Sequence, residues 1–96
     1  MTVHFSEEAE ADLFTIGVWT AEHFGPKQMV TYHRLLVATC EEVIPVMHSH
    51  ATAVPRRPGL WRWHCERHYI YFRIDDVGDF VVVRILHDSR PPLSHS

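Results

Sequence analysis

An α+β fold of order β-α-α-β-β-β, a helical hairpin packed on a small antiparallel sheet, follows from three features of the sequence. Apolar residues recur every three or four positions over residues 7–47, the spacing of buried helix faces. Runs rich in Trp, Tyr, Phe, Val and Ile fill residues 60–87, as strands do. Gly25-Pro26 and Asp75-Asp76-Val77-Gly78 place one sharp corner in each half. Ninety-six residues suffice for one domain, and 46% apolar with 22% charged residues is a globular balance that excludes a disordered or fibrous chain. Residues 1–90 therefore read as a single domain, and 91–96 as a polar, Pro-containing tail.

Each element has a local reason. Residues 2–5, Thr-Val-His-Phe, alternate polar and apolar, and Ser6 supplies an N-cap hydroxyl. From Glu7 to Phe24 the positions Ala9, Leu13, Ile16, Trp19 or Thr20, and Phe24 form one buried face, while Glu7, Glu8 and Glu10 complement the positive end of the helix dipole. Gly25 ends this helix and Pro26 starts the next. A second stripe, Met29, Tyr32, Leu36, Cys40, Val43 and Met47, runs from Lys27 to about His48, with Pro45 marking a kink or an earlier end. Residues 48–59 have no period and carry two prolines and a glycine, so they read as a loop. Strands follow at 60–66, 68–74 and 79–87 as a meander turning at 75–78. The first strand must join this sheet or be left unpaired.

Composition narrows the function. No apolar run approaches the roughly 20 residues that cross a bilayer, and Met1–Ser6 lacks an export pattern, so a cytoplasmic protein making no membrane contact is expected. Cys40 and Cys65 are too few for a disulfide framework. Net charge is −3 but uneven: residues 1–50 hold two basic and seven acidic groups, residues 51–96 seven and five. This argues against non-specific nucleic-acid binding as the main task, while the arginines of the second half can still form a local basic patch. Eleven aromatics in so small a domain suggest an apolar patch left for a partner.

Four segments resemble the RelE/ParE superfamily of bacterial type II toxins, and within it the ParE branch. They are Val3-His4-Phe5-Ser6-Glu7-Glu8-Ala9-Glu10-Ala11-Asp12-Leu13, Phe24-Gly25-Pro26-Lys27-Gln28 with Tyr32, Arg67-His68-Tyr69-Ile70-Tyr71-Phe72-Arg73-Ile74, and Val83-Arg84-Ile85-Leu86-His87-Asp88-Ser89-Arg90. The chain departs from the family at Glu66-Arg67, where a small residue commonly precedes the His, and at Pro91-Pro92. The resemblance implies a plasmid-stabilisation type of toxin that arrests growth, forms a hetero-oligomer with a ParD-like ribbon-helix-helix antitoxin, and poisons DNA gyrase without a cofactor or catalysis. A RelE-type ribosome-dependent mRNA endoribonuclease is the alternative, and a non-toxic antitoxin-binding module the third reading.

Nuclease chemistry needs a base, a cation and an acid, for which Arg84, His87, Arg90 and His68 are the candidates. Arg84 and His87 fall on opposite faces of a regular strand and converge only if a bulge or the strand end re-aims one of them. For a protein target, Arg56, Arg57, Arg62, Arg73, Arg84 and Arg90 are the binding candidates. For the antitoxin they are Trp61, Trp63, Tyr69 and Tyr71, with the two indoles sharing one strand face. Nine histidines raise the question of a metal, but alternation splits His64 from Cys65 and breaks a cluster with His68, so none is expected. The acidic face of the first helix, Glu7, Glu8, Glu10, Asp12 and Glu22, reads as solvated surface.

Overall fold

The computed structural model describes residues 2–91. In chain order they form β1 (Val3–Phe5), α1 (Glu7–Phe24), α2 (Pro26–Ala38), a π turn (Thr39–Val43), α3 (Ile44–Met47), a 3₁₀ turn (His48–His50), β2 (Thr52–Ala53), β3 (Trp61–Cys65), β4 (His68–Ile74) and β5 (Phe80–His87). The helical hairpin and the meander match the sequence reading. Two strand assignments need correction. The sheet has five strands in the order β1-β5-β4-β3-β2, and it is mixed, because β1 pairs parallel with β5. The segment read as loop supplies the two-residue edge strand β2, pairing Thr52 with Arg62 and Ala53 with Trp61.

Ser6 caps α1 as expected, accepting from the Ala9 N–H at 3.0 Å, and its hydroxyl also donates to the Val83 carbonyl, fastening the helix start to β5. On α1 the core takes Ala9 and Thr20, with Leu13 and Ile16 packed beside them. Trp19 and Phe24 are instead half or more exposed, Trp19 stacking on His23 and meeting Phe24 edge-on. Thr20 tolerates burial because its hydroxyl donates to the Ile16 carbonyl at 2.7 Å.

The regular second helix ends at Ala38, earlier than the apolar stripe, and Pro45 falls in the short α3 that follows a π turn. The π turn just before it widens the backbone, with the Ile44 N–H bonding to the Thr39 carbonyl, and Pro45 lies within the first two residues of α3, where its missing N–H costs little. Val43 and Met47, placed on the buried stripe by spacing, are more than a third exposed, because that wide turn shifts the phase of the stripe after Cys40.

The helices cover one sheet face, enclosing Leu36, Cys40, Ile44, Ile70, Phe72, Phe80, Val82 and Ile85. A smaller second core lies on the opposite face, where Val54 and Leu60 fold over Tyr71 and Leu86. Register between β4 and β5 shifts between Tyr71, opposite Arg84, and Phe72, opposite Val82, which leaves Val83 as a bulge.

Candidate functional site

The chemistry-bearing side chains of the second half gather where the β3–β4 turn meets the end of β5. Cys65 pairs with His68 and His68 with His87, so a two-residue turn, Glu66-Arg67, brings His64, His68 and His87 to one end of the sheet. Glu66 has φ 55°, a left-handed backbone that favours glycine, in the place where the family commonly has a small residue.

Tyr32 of α2 ties this turn to the helices. Its hydroxyl accepts the Arg67 N–H at 3.2 Å and lies 2.7 Å from Nδ1 of His68. His68 is 9% exposed, and burial, aided by the neighbouring His87, pulls its pKa down to about 4. The ring is therefore neutral near pH 7, and its Nδ1 shares a hydrogen bond with the Tyr32 hydroxyl, which also reaches the Cys65 carbonyl at 3.4 Å. Burial likewise raises the Tyr32 pKa. The His68 and His87 rings meet edge-to-face at 5.3 Å, and His87 Nδ1 accepts the Ser89 N–H at 3.1 Å. At the rim, His64 Nε2 pairs with Asp88 at 3.0 Å, holding that carboxyl below its ordinary pKa.

Arg84 does not reach this cluster. Its guanidinium forms a two-pronged pair with Asp12 of α1, Nε at 2.8 Å and Nη2 at 3.0 Å, and Asp12 also accepts the Ile85 N–H at 2.8 Å. Asp12 is thus no part of the solvated acidic face. It seals the edge of β5 beyond the reach of the three-residue β1. The bulge precedes Arg84, so it leaves Arg84 and His87 three strand residues apart, and the two side chains serve different partners.

The remaining candidates are scattered. Arg56, Arg73 and Arg90 are exposed, and Arg57 is half-buried. Arg62 lies over the Tyr69 ring at 4.0 Å, with its Nε buried and unpaired. It lines an open cavity of about 280 Å³ with His50, Thr52, Trp63, His64 and Tyr69. Trp61 is at the surface, and Trp63 and Tyr69 are half-buried against the first and second cores. Tyr71, taken as an antitoxin contact, is 1% exposed inside the second core, because the 54–60 loop folds over that sheet face. Of the tail 91–96, residues 92–96 lie outside the described residues. Cys40 is buried and its thiol is pushed up to about 12, which makes it a core residue and a poor nucleophile. Among the described residues no three His, Cys, Asp or Glu side chains converge on a metal position, and no helix is long and apolar enough to cross a membrane.

Sequence reasoning missed Asp12 and the Tyr32–His68 bond. The first had one signal: Asp12 directly precedes Leu13 and lies three positions after Ala9, next to the buried face.

Similarity to known proteins agrees with this architecture. The family described as "ParE toxin of type II toxin-antitoxin system, parDE" matches residues 3–92. Among solved structures, a chain of the chromosomal ParDE toxin–antitoxin system from P. aeruginosa is 20% identical, covers 91% of this chain and 95% of its own, and superposes with a TM-score of 0.78. A chain of the toxin–antitoxin complex RelBE2 from Mycobacterium tuberculosis is 18% identical, with 93% and 92% covered and a TM-score of 0.66. No curated protein matches. With a family match over nearly its whole length, on an architecture shared with both neighbours, the chain belongs to the ParE toxin family of type II toxin–antitoxin systems.

Proposed function

We propose that this ParE-type toxin acts in the cytoplasm by binding a protein target, DNA gyrase, without catalysis, and is silenced by a cognate ParD-like ribbon-helix-helix antitoxin. One observation carries the reading: two of the four groups on which nuclease chemistry would draw, Arg84 and His68, are already committed to structural partners. The cation of Arg84 is held by Asp12, and His68 is desolvated and bonded to Tyr32. Neither is free to stabilise a pentacoordinate phosphate or to exchange protons with a ribose hydroxyl. Arg56, Arg73 and Arg90 remain exposed, and a positive surface speeds encounter with gyrase on its DNA.

The RelE-type reading has one observation in its favour, the contact between the His68 and His87 rings beside the Glu66-Arg67 turn. Supercoiling by purified gyrase, with and without folded, antitoxin-free protein, separates the readings. The expected result is inhibition with trapped cleavage complexes, weakened in Arg56→Glu/Arg73→Glu protein and by added salt. Absence of inhibition, together with ribosome-dependent mRNA cleavage that is lost in folded His87→Ala protein, would reverse the assignment. Absence of both would leave a non-toxic antitoxin-binding module.

A further inference from the structure

Residues 54–60 fold over the second core as two consecutive tight turns of one kind. In Val54-Pro55-Arg56-Arg57 the Arg57 N–H donates to the Val54 carbonyl at 3.2 Å, and in Arg57-Pro58-Gly59-Leu60 the Leu60 N–H donates to the Arg57 carbonyl at 3.0 Å. Each turn has proline second and a left-handed residue third, the type II arrangement. The Val54 N–H closes the base on the Leu60 carbonyl at 3.0 Å, and both residues are buried against Tyr71 and Leu86. The turns differ at the third position. Gly59, at φ 82°, is what that position favours, whereas Arg56 holds φ 64° with a full side chain, a strained conformation.

The strain at Arg56 has no counterweight among the described residues. Arg56 is exposed, and its guanidinium makes no hydrogen bond or ion pair with any of them. A residue strained without an internal partner points to a partner outside the molecule. Two prolines and the closed hydrogen-bonded base fix the platform on which Arg56 stands, so little freedom is lost when it is bound. The guanidinium defines that partner's chemistry, because its planar fork of donors matches an oxyanion with two parallel bonds. Duplex DNA is held by neutralising many phosphates together, and a chain of net charge −3 that presents one preset arginine is poorly suited to that. We propose that Arg56 is a preorganised contact residue that pairs with a carboxylate on the target protein. The proposal rests on the protein-target reading and supplies that surface with its defining contact.

The test uses the full chain, purified gyrase with and without DNA, and two substitutions. Arg56→Asn removes the fork but suits a left-handed backbone, so its melting temperature should equal or exceed that of the wild type. Its affinity for DNA-free gyrase, measured by calorimetric titration, and its inhibition of supercoiling should fall about tenfold or more. Arg56→Lys keeps the charge and the strain but not the fork, and should lose about threefold or more in both. Undiminished binding by Arg56→Asn, a melting temperature lowered by that substitution, full activity of Arg56→Lys, or wild-type binding to DNA alone as tight as to gyrase would each overturn the proposal. Growth arrest on expression separates it from the broader reading. Wild-type protein that arrests growth without touching gyrase refutes gyrase as the target, and the proposal then stands or falls on whether Arg56→Asn relieves the arrest. Wild-type protein that does neither refutes both.

Discussion

Replacing Asp12 by alanine isolates what holds α1 on the sheet. The Asp12 side chain is 14% exposed and that of Arg84 30%, so the pair lies between the surface and buried regimes. A partly solvated pair of this kind is worth about 1–2 kcal/mol. The carboxylate also accepts the Ile85 N–H at 2.8 Å on a stretch of β5 that β1 does not cover, and a hydrogen bond to a charged group adds about 1.5–3 kcal/mol. Asp12→Ala removes both, for a loss of about 3 kcal/mol. Arg84→Ala removes only the pair and leaves the carboxylate on the amide, for about 1–2 kcal/mol. At about 4–8 °C per kcal/mol for a domain near this size, the melting temperature of the Asp12 variant should fall by about 12–24 °C and that of the Arg84 variant by roughly half as much. Urea unfolding of both variants and of the double variant measures the two contributions. Equal losses in the two single variants, or losses under about 0.5 kcal/mol, would refute the division of labour assigned to Asp12. The same measurement guards any toxicity assay, because inactivity of an Arg84 variant reports on chemistry only if the fold is intact.

Stability should also depend on His68. Its folded pKa of about 4 lies below the ordinary 6.5, so the unfolded chain takes up the proton first; the stabilising contribution is complete above about pH 6.5 and is lost as pH falls toward 4. Melting temperatures between pH 7 and 4.5 should fall less steeply in His68→Gln, and identical slopes would count against the assignment. Tyr32→Phe leaves the Arg67 N–H without its acceptor and His68 without its hydrogen-bond partner, which should cost about 1–3 kcal/mol in chemical denaturation; a neutral result would show that water replaces the hydroxyl freely. Glu66→Gly relieves a left-handed φ of 55° and should raise stability by up to about 1 kcal/mol, provided that the added freedom of the unfolded chain does not cancel the gain; a destabilised variant would argue that the Glu66 side chain has a compensating role.

Local periodicity made α1 legible, because Ala9, Leu13 and Ile16 recur on one face and Ser6 and Gly25 bracket it. The choice between Trp19 and Thr20 could not be read from spacing. It turns on which residue meets the sheet and on a hydroxyl satisfied within the helix. Alternation identified Val3–Phe5 as a strand but says nothing about its neighbour, so the parallel partner β5 was invisible. Asp12 was grouped with solvated acids because polarity patterns carry no direction, and its partner lies 72 residues away. The same blindness affected the sheet's second face. Tyr71 alternates with Phe72 and so belongs to the other side, but only the tertiary path of residues 54–60 makes that side a core. At the candidate site the residue types were legible, whereas the commitment of Arg84 and His68 to structural partners was not.

The union of β1 with β5 bears on how the molecule is made. Ser6, at the start of α1, bonds to Val83, 77 residues later, and Asp12 closes on Arg84 and Ile85. Until β5 has been synthesised, β1 has no partner and Asp12 of α1 has no strand edge to close on. Contacts this distant along the chain slow folding and postpone it until β5 has been made. A ribosome that stalls before codon 80 therefore releases a fragment lacking the strand that both ends of the fold require, and such a fragment is a substrate for proteases. This topology ties the appearance of a folded product to the synthesis of β5.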